Sequence, residues 1–294
     1  MNDGVVGLLR LGAVAIQNAG FAVVVGALLG RRWLARGASA WQHGVGRRLV
    51  ATLRIASVVS LLDAGPAACS MLAGTGFGHA WLAGTVFMLV VVLLSFAGRA
   101  NDTRFPFAMA AALAGVALAR SNGGHPVDAG PFSVPVWIDW LHLLAISVWI
   151  GLVLVTAFGV MPRLARMPAS ERMTGAAFVQ SLSDASTCAL IVLFATGAYN
   201  GWRGVETPAN LLASTYGQIL LLKLALVLLA AMLGAHNRFF GMPTLLRALK
   251  DPAAAMPAHA LKRFCTVLRV EAVVLGGVLM AAAVLVSSAL PGTV

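Results

Sequence analysis

Charge is what this sequence has least of. Asp, Glu, Lys and Arg make up 11% of its 294 residues, and only 10 are acidic. Hydrophobic residues make up 60%. A soluble domain of this length needs far more polar surface, so that class is excluded. Cysteine is also scarce. Cys69, Cys188 and Cys265 lie far apart and form no CxxC, which argues against a zinc site or a disulfide framework. There is no ATP-binding loop and no phosphorylation motif, so any transport would be passive or driven by a gradient. The first residues, MNDGVVGLLRLG, lack a basic stretch ahead of the apolar run, so no cleavable signal peptide is expected.

Long apolar runs are what the sequence has instead. Eight segments are read as membrane spans: 5–29, 49–71, 80–98, 106–119, 136–160, 178–202, 215–236 and 266–290. The fourth is short and rich in alanine. The expected fold is all-α, a polytopic membrane helix bundle in which each span satisfies its own backbone.

The formal net charge of +11 would suggest a nucleic-acid partner in a soluble protein. Here the basic residues are confined to short connecting segments. Fifteen of the 21 fall in the loops after spans one, three, five and seven, whereas the other three loops hold only Arg120 and Arg203. The asymmetry puts the basic loops in the cytoplasm and both termini in the periplasm. Nucleic acid is not expected as a partner. The segment 121–135, SNGGHPVDAGPFSVP, is rich in Gly and Pro and reads as a periplasmic linker. It divides the chain into an N-terminal four-helix half, 1–120, and a C-terminal four-helix half, 136–294. No sequence repeat relates the halves. The cytoplasmic segment 237–262 is long enough for a short surface helix.

The stretch 140–162, WLHLLAISVWIGLVLVTAFGVMP, carries one imidazole, His142, a turn inside its leading end. Trp137, Trp140 and Trp149 are expected to cluster around it, at one membrane face. A histidine in an apolar span is a functional candidate, with interhelical packing as the alternative. Depth gives an outer polar set of Asp63, His79, Asp139, His142 and Lys223, and an inner set of Arg54, Asp184, His236, Arg269 and Glu271. Buried charges in lipid pair or line a cavity. Asp63 with Lys223, and Glu271 or Asp184 with Arg54, are the pairings that depth allows. Lys223 could instead snorkel to the outer interface.

Imidazole, thioether and thiolate are soft ligands that suit copper, Cu(I) in particular. His142, His79, Met71 and Cys69 all fall near the outer face and form the candidate metal set. Neither HxxxH nor a Met-x-Met run is present. Met71 could equally be core filler, and Cys69 a small buried residue. Haem is not expected: His142 and His236 lie at opposite depths and cannot form an axial pair, while His79 with His142 is conceivable but both sit close to water.

The second half resembles the copper resistance protein D (CopD) family of bacterial inner-membrane proteins. The resemblance rests on WLHLLAISVWIGLV at 140–153, ATGAYNGWR at 195–203, TYGQILLLKLALVLLAAMLGAHNR at 215–238 and LRVEAVVLGGVLM at 268–280. It covers about 136–291. The positions that carry over are His142, Trp149, Gly151, Gly197, Asn200, Tyr216, Gly217, Lys223, Asn237, Arg238 and Glu271. The resemblance implies copper handling at the inner membrane, with periplasm-to-cytoplasm movement and no enzymatic activity. It also implies a periplasmic copper-binding protein of the CopC type as donor. That partner is expected to be a separate chain, since both termini lie almost at a span. Two other readings compete: a membrane redox or haem protein using the same histidines, and a non-transporting factor that delivers copper to an assembly.

Overall fold

A computed structural model describes residues 3–34, 39–62, 76–97, 104–205, 207–251 and 258–288. Within these residues all regular structure is helical. The main helices are α1 (Asp3–Leu34), α2 (Ala40–Leu62), α3 (Gly76–Ala97), α4 (Phe105–Ser121), α5 (Val134–Leu154), α6 (Arg172–Val205), α7 (Thr215–His236), α8 (Met242–Lys250) and α9 (Ala258–Val286).

Among the described residues, six helical segments are long and apolar enough to cross a bilayer: Leu11–Leu34, Gly76–Ala97, Val134–Leu164, Ala169–Val205, Thr215–Lys250 and Ala258–Val286. The expected fourth span is a helix, α4, whose 17 residues leave it shorter than these six. The expected second span falls in α2, which begins earlier than hydropathy suggests, at Ala40, and is not one of these six. That start brings Arg47 and Arg48 into α2, and residues 63–71 lie outside the described set. Large apolar side chains face outward along α3 and α7, among them Leu82, Leu93, Phe96, Leu222, Leu228 and Met232. Such a belt is stable against acyl chains and unstable against water.

The helices do not pack as two separate bundles. α1 packs against α2 on one side and against α5 and α9 on the other. One apolar core runs from Phe21 and Val24 of α1 through Ile150 and Leu152 of α5 to Leu275 of α9. The α1–α5 crossing depends on two glycines. A Cβ on Gly26 would fall on the Gly151 carbonyl, and one on Gly151 would fall on the Ala22 carbonyl. Small residues that let backbones touch replace the hydrophobic driving force that lipid cannot supply. The segment 121–135 forms a short 3-10 turn at His125–Ala129.

α5 and α7 share a device at one end. Each widens into a π-helical segment, Val155–Val160 and Asn237–Gly241, just before a Met-Pro pair, Met161-Pro162 and Met242-Pro243. A proline inside a helix lacks its N–H and clashes with the carbonyl four residues back. A wider turn ahead of it relieves that clash and bends the chain. After the bend, Met161–Leu164 is a single turn, while α8 lies against α6 with Leu245 and Leu249 buried. The short helix expected within 237–262 is therefore present, and it is packed on one face.

Candidate functional site

Two polar clusters lie between the helices. The first is at the start of α5. Asp139 and His142 are three residues apart and share a helix face. Asp139 Oδ2 accepts from Ser121 Oγ (2.9 Å) and Oδ1 from Asn200 Nδ2 (3.1 Å). Arg120 and Lys223 are the cations close enough to act on Asp139, and Lys223 also acts on His142. Arg120, which sequence places in a loop, belongs to the last turn of α4 and donates to Asn18 Oδ1 of α1. Four helices thus converge here, α4 to α7, with α1 joined through Asn18.

His142 Nδ1 lies 3.0 Å from Thr196 Oγ1. The Thr196 hydroxyl donates its own proton to the Val192 carbonyl at 2.7 Å, one turn back in α6. A hydroxyl has one proton, so toward the imidazole it acts as acceptor, and Nδ1 carries the hydrogen. Nε2 is then left with its lone pair, and no described residue donates to it. Gly197 leaves room for the ring: a Cβ there would sit 3.2 Å from His142 Cε1.

The second cluster lies two turns further along α5. Trp149 is buried, and its Nε1 donates to Glu271 Oε1 at 3.0 Å. The expected cluster of three tryptophans around His142 is therefore corrected. Trp137 and Trp140 do stack edge to face, with centroids 5.4 Å apart. Trp149 is seven residues on from His142, about 10 Å along the axis, and serves Glu271 instead. Glu271 borders a cavity of about 240 Å³ between α5, α6, α7 and α9.

The pairing of Arg54 with Glu271 or Asp184 is also overturned. Arg54 donates to the Ser95 carbonyl (2.9 Å) and stacks on Phe96, with the guanidinium carbon 4.8 Å from the ring centroid. Asp184 pairs with Arg238 (3.3 Å). Matching depth did not translate into proximity, because α2 and α3 lie together on one flank of the bundle.

Of the candidate metal ligands, Cys69 and Met71 lie outside the described residues, as does Asp63, the expected partner of Lys223. His79 is exposed at the start of α3, and no described contact joins it to His142. Among the described residues, no three His, Cys, Asp or Glu side chains gather in a metal-holding group. His142 therefore supplies one open nitrogen rather than a complete coordination shell. Asn200 and Lys223 belong to the first cluster, Trp149 and Glu271 to the second. Sequence reasoning missed Asn18, Ser121 and Thr196. Thr196 had a signal, since it stands one turn before Asn200 on the same face of α6.

Fold and sites together define a multi-pass α-helical membrane protein with polar sites buried between its helices. Residues 176–285 of the chain match the family model Copper resistance protein D. The match spans α6 to α9 and includes Thr196, Asn200, Lys223, Arg238 and Glu271. It starts after α5, so Asp139, His142 and Trp149 enter both clusters from outside the matched stretch. No curated protein and no solved structure matches the chain.

Proposed function

We propose that this protein carries copper across the bacterial inner membrane, from periplasm to cytoplasm, and is a carrier rather than an enzyme. In this reading eight spans cross the bilayer, both termini are periplasmic and the His142 cluster faces the periplasm. The family match supplies the link to copper resistance. The observation that carries the assignment of a site is the Thr196–His142 hydrogen bond, which leaves Nε2 free as a ligand for a soft ion. Copper is the cargo, so an open site that can share ligands with the donor fits transfer better than a closed cage would. A separate periplasmic protein of the CopC type is the proposed donor, and Cu(I) the proposed state. Cys69, Met71 and His79 are the further ligands in this proposal. Asp139 would offset the charge of Lys223, which otherwise opposes an incoming cation.

The test is copper-dependent uptake in cells expressing His142→Ala. Uptake should fall to the level of cells without the protein, while the variant accumulates in the membrane at the normal amount. Wild-type uptake by that variant would remove His142 from the path.

A further inference from the structure

We infer that the cavity beside Glu271 is a proton-exchange site, in which the Glu271 carboxyl takes up and releases a proton through the gap between α6 and α7. Glu271 is 2% exposed, yet it borders a space with room for several water molecules. Trp149 engages Oε1, and among the described residues nothing donates to Oε2. Trp149 is a neutral donor, so it orients the carboxyl without cancelling a negative charge.

The charged groups on the surrounding elements are committed elsewhere. Arg238, just past α7, holds Ser183 Oγ (2.5 Å) and Asp184 Oδ1 (3.3 Å). His236 of α7 lies against Phe240 and Arg263. Arg269 is exposed on α9. Arg31 of α1 stacks on Phe105, 4.9 Å from the ring centroid. Arg247 and Lys250 sit at the far end of α8, and α5 brings no charged group beside Trp149. A buried carboxylate without a paired cation is costly in this setting. It is relieved by a proton or by a bound metal ion. A metal ion would need further ligands, and among the described residues no acidic, imidazole or thiol group joins Glu271 along the cavity wall. A proton needs only Oε2 and water.

The route is also present. α6 and α7 touch only sparingly, and the cavity occupies the space between them. Ser183, Ser186 and Thr187 line its α6 wall on one helix face, which gives water hydrogen-bonding partners along the way. The Asp184–Arg238 pair bridges the same gap. The proton arrives from bulk water and rests on Oε2, and it leaves by the same path. That this exchange is coupled to copper movement rests on the reading above; the existence of the site does not.

The experiment labels the purified full-length protein with dicyclohexylcarbodiimide over a series of pH values and maps the product by mass spectrometry. The reagent adds across its C=N bond, with the acid's proton going to nitrogen and the carboxyl oxygen to carbon. It therefore reports a protonated carboxyl in apolar surroundings. Labelling at Glu271 is expected, declining in a single titration as pH rises, and several-fold slower in Ser186→Leu, which plugs the cavity without touching the acid. Labelling should vanish in Glu271→Gln. The wild-type map decides the point even where a variant fails to accumulate. No label on Glu271 at any pH, or labelling indifferent to pH, would overturn the proposal. Neither result depends on copper, so a failure here is distinct from a failure of copper uptake.

Discussion

At the scale of single residues, the most informative contact is the one that fixes the His142 ring. Thr196 has spent its proton on Val192, so it holds the imidazole by accepting. Removing that acceptor frees the ring to turn and lets either nitrogen carry the hydrogen. Groups that orient a ligating histidine are typically worth about 10–100-fold in metal affinity. Under the proposed role of His142 as a Cu(I) ligand, Thr196→Val, which keeps the shape of the side chain, should weaken Cu(I) binding to the detergent-purified protein by about that factor, measured against a chromophoric chelator. Thr196→Ser should restore it. Equal loss in both variants would mean that packing, not hydrogen bonding, sets the site. Part of this cluster was legible in the sequence. Asp139 with His142, and Thr196 with Asn200, fall at helical spacing and define one face each. What could not be read was which faces meet. Depth placed Lys223 among the outer acids, but only the packing of α7 decides that Asp139 lies within its reach. The same gap explains Arg54, which has the depth of an inner partner and sits on the wrong flank.

At the scale of the helix, the governing feature is the α1–α5 crossing. Gly26 and Gly151 bring two backbones into contact, and neither can gain a methyl group without striking a carbonyl. Backbone cannot step aside as a flexible side chain would. Overpacking of this kind costs about 1–3 kcal/mol even where neighbours adjust. Gly151→Ala should therefore lower the melting temperature in detergent by several degrees. Gly12→Ala, with nothing within 4 Å of the added carbon, should leave it unchanged. A Gly151→Ala protein as stable as wild type would mean that the helices do not approach as closely as described. The existence of most helices was plain from hydropathy, because a bilayer demands an apolar run of fixed length. The crossing was not, since a glycine in a span looks alike whether it faces lipid or another helix. The two π-helical widenings were also hidden in sequence, although the Met-Pro pairs that follow them are visible once the bends are known.

At the scale of the whole molecule, the question is what the Gly- and Pro-rich segment 121–135 separates. By sequence it divides the chain into two groups of four spans. In space the groups interlock, because α1 lies in the angle between α2 and α5 and also reaches α9. The first cluster needs both groups, since Arg120 and Ser121 of α4 act on Asp139 of α5. The second is built from α5 to α9, but α1 covers α5 and α9 from behind. A C-terminal fragment alone would expose the face of α5 around Gly151 and lose the Ser121 donor to Asp139, keeping Asn200. Interhelical contacts formed within the membrane do not require a continuous chain, because each span is already a helix before it packs. Expressing 1–121 and 136–294 as two polypeptides, with an affinity tag on the second, should therefore yield a complex in which the untagged fragment copurifies. The tagged fragment alone should be recovered at a lower level, or with a lower melting temperature. If α1 is essential at the crossing, Gly26→Leu in the first fragment should abolish copurification, while the same change at Gly12 should not. Independent recovery of a fully stable C-terminal fragment would show instead that the N-terminal helices are an accessory to a self-sufficient unit.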